Sequence, residues 1–589
     1  SLDETVIQHG AEFNLGLHKY QGNNFSPNGH KYIREFDCEH IPATTYRVGG
    51  VILRKEKIFV HHENRILIRY TLLDAHSATT LRFRPFLAFR SVREYTHENA
   101  QASREYQLVE NGIRTCMYPG YPELYMQLNK KCEFHFLPDW YRGIEYPKEQ
   151  ERGYDFNEDL YVPGYFEVDI KKGESIVFSA GTSEISPRRL KQTFEAEVAD
   201  RTPRDSFYHC LKNSAHQYHN QQEGEHYILA GYPWFKCRAR DMFIALPGLT
   251  LAIDEIDQFE DVMKTAEKAI RNFINEEPVG YKIYEMEHPD VLLWAVWALQ
   301  QYAKETSREQ CRQKYGELLK DIMEYIRQRK HDNLFLHENG LLYANGTEKA
   351  ITWMNSTVNG HPVIPRTGYI VEFNALWYNA LKIMARLAEK YENKQLCRKY
   401  LEMAEKTKKS FDEKFYNEDK HCLYDVLGDS KVRPNQLFAL SLSHPIVDNA
   451  EIAEQVLNTV ENKLLNKYGL KTLSSDEDGY VDVYEGSAYK RDLSYHQGIT
   501  WPWLLGLYYD ALKNTMIIEK NRTKRQELEE KITKLVDTTK ETFKAEMFER
   551  SSIGTISEIY DSTEPYEERG AFAQAWSVAE IFRIVLNKR

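Results

Sequence analysis

Near residue 205, after a charged linker, the hydrophobic period of the chain changes from two to about 3.6, and that change fixes most of what it can fold into. Period two sends successive side chains to opposite faces of a sheet, whereas the longer period lays i, i+3 and i+4 along one face of a helix. At 589 residues the chain also exceeds one ordinary core, so two domains are expected. The reading is an N-terminal all-β sandwich over 1–185, a charged linker helix over 186–204 and an all-α domain over 205–589.

The first part carries many short aromatic or alternating runs, among them Arg65 to Leu73, Leu81 to Phe89 and Tyr165 to Ile170. Asn, Gly and Pro turns separate them, and Lys171-Lys172-Gly173-Glu174 reads as a hairpin turn before Ser175 to Ala180. That pattern argues for a sandwich. No catalytic constellation stands out here, so this domain reads as a scaffold.

Composition narrows the partners. The net charge of −11 argues against nucleic acid and anionic membrane surfaces, while a neutral polysaccharide is compatible with it. No run is long and apolar enough to span a membrane. The 8 cysteines show no CxxC spacing, so neither zinc nor a disulfide framework is indicated, and reduced thiols in a cytoplasm are the simplest reading. Ser1-Leu2-Asp3-Glu4 is no signal peptide and has no Met, so the start reads as shortened. Nothing in the sequence bears on oligomeric state.

After the linker come roughly twelve helical segments. Those starting near 239, 288, 372, 433, 496 and 570 follow loops dense in aromatics and charge; the helices between them are plain, amphipathic and rich in Lys and Glu. Decorated helices alternating with plain ones are what a double ring would give, with the inner loops converging on one mouth.

The loops carry the chemistry. In the first, Arg240 and Asp241 set a donor fork beside an acceptor at a helix start, which suits vicinal sugar hydroxyls, and Trp234 suits a pyranose face. The alternatives are a helix-start acid and a core indole. In the second, Asp290 is as good a cap as a ligand. The third holds Trp353, Asn355, Arg366 and Glu372, and the fourth Asn435 and Gln436. In the fifth, His496 reads as a hydroxyl-binding or core histidine, because no second His or Cys shares its spacing; Trp501 and Trp503 are either two stacking walls or core. The last loop runs Gly554-Thr555-Ile556-Ser557-Glu558-Ile559-Tyr560-Asp561 and leads to a helix with Gln574 and Trp576. A carboxylate on a short loop before a helix suits a general base, or it is solvated surface.

These blocks resemble glycogen debranching enzymes, specifically their amylo-α-1,6-glucosidase domain. The matching segments are GYPWF at 231–235, RDMFIALPGL at 240–249, TWM at 352–354 and PRTGYIVEFNALWYNAL at 365–381. They continue in the family's order with VRPNQLFALSL at 432–442, YHQGITWPWLLGLYYDA at 495–511, GTISEIYD at 554–561 and RGAFAQAWSVAEI at 569–581. HGAEFNLGLHKY at 9–20 and the strands after it resemble the β-sandwich that bacterial members carry in front.

The resemblance implies an (α/α)6 barrel related to glucoamylases, and an inverting, exo-acting glucosidase that removes α-1,6-linked glucose stubs. By the match, Glu558 is the base that activates water, and Arg240 and Asp241 grip the terminal glucose. The sugar-contacting set would be Trp234, Arg240, Asp241, Trp353, Arg366, Glu372, Asn435, Gln436, His496, Trp501, Trp503, Gln574 and Trp576. Glycogen or a branched maltodextrin is the implied partner, and no metal or cofactor is implied.

Two departures stand against it. The family's general acid is the Asp ending a Thr-Trp-Met-Asp run, and this chain has Asn355 there. The family usually has Trp-Gly where this chain has Arg238-Ala239. A carboxamide cannot deliver a proton to a departing oxygen, a loss of about 10²–10⁴-fold in rate. Three readings follow: another carboxyl such as Glu372 supplies the proton, the protein is a weak or inactive relative that still binds α-glucan, or position 355 is altered. An exo-glucosidase acting on α-1,4 links or trehalose is a further enzyme reading.

Overall fold

A computed structural model describes the chain except residues 93, 391, 392, 551, 552, 588 and 589, and residue 390 by its backbone alone. It divides into two compact units, 1–205 and 206–589.

The first unit is built on two antiparallel sheets of seven and eight strands. Thr79–Pro85 shows why the alternating runs pair as they do: every second residue is buried, and Leu81 and Phe83 point inward. Phe83 and Phe166 meet Phe178 from the other sheet at 5.6 and 5.8 Å between ring centres. This is the interdigitating core of a β-sandwich. Besides a short helix α1 (Pro147–Glu151), the unit contains α2 (Leu190–Ala199). The expected linker is α2, and it is no linker. Its Leu190 and Phe194 are fully buried against Ile41, Ile58, Leu67 and Val177, so the helix belongs to the first unit and the boundary falls at 205.

The second unit is helical. Its elements are α3 (Phe207–His216), α4 (Ala239–Leu249), α5 (Ile256–Ile274), α6 (Val291–Glu305), α7 (Arg308–Arg327), α8 (Val371–Lys390) and α9 (Lys394–Asp412). There follow α10 (Phe438–Ser441), α11 (Ala450–Lys463), α12 (Ala488–Ser494), α13 (Leu504–Ile518), α14 (Arg522–Glu549) and α15 (Ala575–Leu586). Helices α4, α6, α8, α10, α13 and α15 each pack on the next, and α15 closes on α4. They form the inner ring of an (α/α)6 barrel. α4 is buried along its whole length, because both its faces meet protein. The outer α5 buries only Phe259, Val262, Met263, Ala266, Ala269 and Ile270, one stripe of an amphipathic helix.

Short strands sew the loops together at the N-terminal ends of the inner helices. Gly231–Tyr232 pairs with Ala573–Gln574, joining the first loop to the last. Cys237–Arg238 runs parallel to Ile283–Tyr284. Thr500 pairs with Tyr560, and Ile559–Tyr560 with Glu568–Arg569. Ring closure is tight where α4 meets α15. A Cβ on Gly248 would lie 2.4 Å from the carbonyl oxygen of Ala579.

Overpacking of this kind typically costs about 1–3 kcal/mol. Gly248→Ala is therefore expected to lower the urea midpoint of the helical circular-dichroism signal. An unchanged midpoint would mean that α4 and α15 can separate freely.

Candidate active site

Glu558 lies just before the strand Ile559–Tyr560 and is 2 % exposed. Its backbone N–H donates to the carbonyl of Ala571 at 2.9 Å, and its Oε2 accepts from the Ala571 N–H at 2.9 Å. Its Oε1 accepts from the Tyr495 hydroxyl. Residue 570 has to be glycine: its φ is +68°, and a Cβ there would stand 2.3 Å from Glu558 Oε2. Behind the strand, the Tyr560 hydroxyl donates to Glu546 at 2.9 Å and its ring stacks on Tyr468 at 4.4 Å.

Burial pushes the Glu558 carboxyl up to about 7, and the charge of Asp241 pushes the same way. The Tyr495 and Ala571 hydrogen bonds and the Arg238 guanidinium pull it down without cancelling the burial. Asp241, in the first turn of α4, is raised by burial to about 6, with Arg238 and Arg240 pulling down and Glu285 pushing up. Arg238 is the common neighbour. Burial lowers its basicity, whereas Asp241, Glu285, Tyr495 and Glu558 raise it. Its Nε is 3.6 Å from Glu285 Oε1, and its guanidinium lies over the Phe235 ring at 5.0 Å. Glu285 holds a left-handed backbone with φ of 63°, a conformation uncommon outside glycine and often found where a loop positions a functional group.

Arg240 and Asp241 do not form the side-by-side fork expected of them. Neighbours along a helix point about 100° apart. Arg240 is fully buried and turns to Asp290, with Nε donating at 2.7 Å and Nη2 at 2.8 Å. Nη2 also meets His288 Nδ1 at 3.0 Å and the carbonyl of Ile351 at 3.1 Å. These contacts engage Nε and Nη2. Asp290 also accepts from Trp294 Nε1 at 3.1 Å, so it is neither a plain cap nor a free ligand.

The third and fourth loops are locked by a second chain of buried charge. Arg366 donates to both oxygens of Glu372, through Nη2 at 2.7 Å, and through Nε to Asp425 at 3.0 Å. Asp425 accepts from Asn435 at 2.7 Å, and Asn435 accepts from Trp353 Nε1 at 2.7 Å. Glu372 is therefore a structural ion-pair partner. Freeing it to donate a proton would break a buried pair, which costs about 3–5 kcal/mol. Gln436 likewise serves the backbone, donating to the Arg433 carbonyl at 2.9 Å and accepting from Leu423 N–H at 3.1 Å.

Of the two readings of Trp501 and Trp503, stacking walls or core, burial favours core. Trp501 and Trp503 are each 1 % exposed, so neither offers a face to a sugar. Both press on Trp353 edgewise, at 5.3 and 5.1 Å. Trp503 stacks on Trp576 at 5.1 Å, and Trp576 Nε1 donates to Gln574 at 3.3 Å once the amide is turned so that its nitrogen donates to Ala230. His496 stacks on Trp501 at 5.1 Å. Burial drives it far below its ordinary value, and Arg433, Arg240 and Arg366 add to this, so it is a neutral ring. Neither of its nitrogens has a hydrogen-bond partner among the described residues. Trp234 and Asn355 are half-buried on their loops.

Sequence reasoning passed over Tyr495, Glu285 and Asp425. Tyr495 stands beside His496 in a segment already marked as important, but only the fold shows which carboxylate its hydroxyl meets. Among the described residues no group of His, Cys, Asp and Glu could hold a metal ion.

Comparison with known proteins bears on the whole arrangement. Residues 209–583 match the family model described as amylo-alpha-1,6-glucosidase, and residues 1–177 match glycogen debranching enzyme N terminal. Among solved structures, a bacterial glucoamylase complexed with acarbose superposes with a TM-score of 0.54 at 12 % identity, covering 99 % of this chain and 87 % of its own. That likeness is one of fold.

Because its carboxyl is raised, ionising Glu558 opposes folding. The cost begins as pH rises past the ordinary value of about 4.3 and is complete above about 7. Glu558→Gln is expected to raise the urea midpoint at pH 8 and to raise it less at pH 5. Equal midpoints for both proteins at pH 8 would show that the carboxyl titrates normally.

Proposed function

The chain belongs to the amylo-alpha-1,6-glucosidase family, a family of glycoside hydrolases, and we propose that it hydrolyses α-1,6-linked glucose stubs on glycogen or a related α-glucan with inversion at the anomeric carbon. The observation that carries this reading is Glu558. A buried carboxyl brought to about 7 and held at both oxygens is oriented and basic enough to draw a proton from water near neutrality. Inversion places that water between the base and the sugar, with the two working carboxyls about 6.5–9.5 Å apart.

The remaining roles follow from what each side chain has left to offer. Asp241, without an ion-pair lock like that of Glu372, accepts sugar hydroxyls. Arg240, fixed through Nε and Nη2, has Nη1 to donate to the same sugar. Trp353, braced by Asn435, backs the pocket. For the rest of the glucan, Tyr284 and Phe572 provide ring faces, being 37 % and 52 % exposed and each one residue from Glu285 or Ala571.

Proton delivery to the leaving oxygen is the weak point. Asn355 cannot do it, and Glu372 is held by Arg366. Asp241 and Glu285 are the carboxyls that share Arg238 with Glu558. The second reading, a slow or inactive α-glucan binder, draws on the same two observations.

Two substrates separate these readings. A glucosyl-branched maltodextrin needs its leaving oxygen protonated, whereas α-glucosyl fluoride does not. The wild type is expected to release β-glucose from the fluoride, with kcat/KM falling as pH drops below about 7 because the base becomes protonated. Glu558→Gln should lose about 10²–10⁴-fold on both substrates. Asn355→Asp should speed the maltodextrin by up to a similar factor and leave the fluoride within a few-fold. Retention of wild-type turnover by Glu558→Gln would remove it from the mechanism, and a binder without activity on either substrate would establish the second reading.

A further inference from the structure

The end of the inner ring remote from Glu558 holds a cavity of about 340 Å³, within the range of small-molecule sites. Helices α6 and α8 fix its position: Asp290 and Glu372 stand at their N-terminal ends, while Lys304 and Arg386, at their other ends, line the cavity. Arg308, at the start of α7, is the third lining cation, and no lining side chain is a carboxylate. Among the described residues none of the three is in an ion pair within 4.0 Å. Asp510, whose charge reaches Lys304, is held by Arg583 at 2.8 Å.

The loop that completes the cavity is fixed in place. His444 N–H donates to Asn379, which pairs with Gln300 at 2.9 and 3.2 Å. Asn514 holds the carbonyls of Leu440 and Leu442 at 2.7 and 2.9 Å. This braced loop presents Ser443, whose buried Oγ has no hydrogen-bond partner among the described residues. Burial lowers His444 to about 3, and Arg386, Lys382, Lys304 and Arg308 all push it the same way, so cations dominate the field at this ring, while Asp510 and Glu305 act on Lys304. Helix C-terminal carbonyls explain a cation at the end of α6 or α8. They do not explain Arg308, which occupies the first turn of α7, where the helix dipole disfavours positive charge.

We propose that this cavity binds a small phosphate-class anion, either free phosphate or a phosphomonoester whose organic part lies against Ile383, Leu387 and Leu319. Cations from three helices converge on it, a hydroxyl stands ready to donate, and the wall behind is aliphatic.

Isothermal titration of the full chain with inorganic phosphate and with phenyl phosphate tests this, with phenol as the neutral control. Saturable one-to-one binding is expected, weakened at least tenfold in a Lys304→Gln/Arg386→Gln double variant, and absent for phenol. Tighter binding of phenyl phosphate assigns the site to a phosphomonoester, and equal binding assigns it to free phosphate. The variant should keep the wild-type helical circular-dichroism signal and urea midpoint without phosphate, showing that it folds. Lack of saturable binding by the wild type, or undiminished binding by the double variant, overturns the proposal.

Discussion

Buried charge is what the mouth of the barrel has to manage. Removing a carboxylate or a guanidinium from water costs several kcal/mol unless a partner compensates. Here the sequence loads the N-terminal ends of the inner helices with both, and the fold answers in two ways. Asp290 is closed by Arg240, and Glu372 and Asp425 by Arg366, through short and mostly bidentate contacts. Burial raises Glu372 too, against the pull of Arg366, but Glu558 and Asp241 have no such bidentate guanidinium and rise to about 7 and about 6. The first set fixes loops in space. The second retains carboxyls able to exchange protons at physiological pH, which is how a rigid scaffold and a reactive group coexist at one mouth.

The outline of this arrangement was legible in the sequence, and its wiring was not. The switch from period two to helical period separated a sheet part from a helical part, because burial geometry writes itself directly into spacing. The decorated loops marked the inner helices for the same reason: only helices whose N-termini meet at a mouth carry aromatics and charge there. Pairing is different. Arg240 finds Asp290 across 50 residues and Arg366 finds Asp425 across 59, and nothing local distinguishes those partners from others on the loops. Trp501 and Trp503 show the same limit. A tryptophan on a loop next to a pocket and one beneath it look alike until exposure is known. The helix at 190–199 reads as a linker because its many charged residues outweigh the two apolar ones, Leu190 and Phe194, that anchor it to the sandwich.

Position 238 gains meaning only with its surroundings. Taken alone, an arginine in place of a tryptophan removes a stacking surface. In the structure it is also the cation shared by Asp241, Glu285 and Glu558. Without it, three carboxyls would face one another with burial already pushing two of them upward. The Tyr495 hydroxyl, the Ala571 amide and, after them, Arg238 pull Glu558 down against its burial, and the two hydrogen bonds also fix the direction of the carboxylate.

That balance links the two departures from the family pattern. An inverting site needs one carboxyl that accepts a proton and one that gives it, with their affinities for it pushed apart. On the proposed reading, Asn355 leaves the site without the carboxyl that the family pattern has there, and Arg238 is a cation whose charge is shared by Asp241, Glu285 and Glu558. Asp241, at about 6, loses its proton before Glu558, at about 7, so a proton shared by these two rests on Glu558 and not on a donor. The two positions therefore act on one quantity, the distribution of protons over the carboxyls around the sugar. A substitution at either is best understood by how it moves that distribution, since each changes the work left to the other.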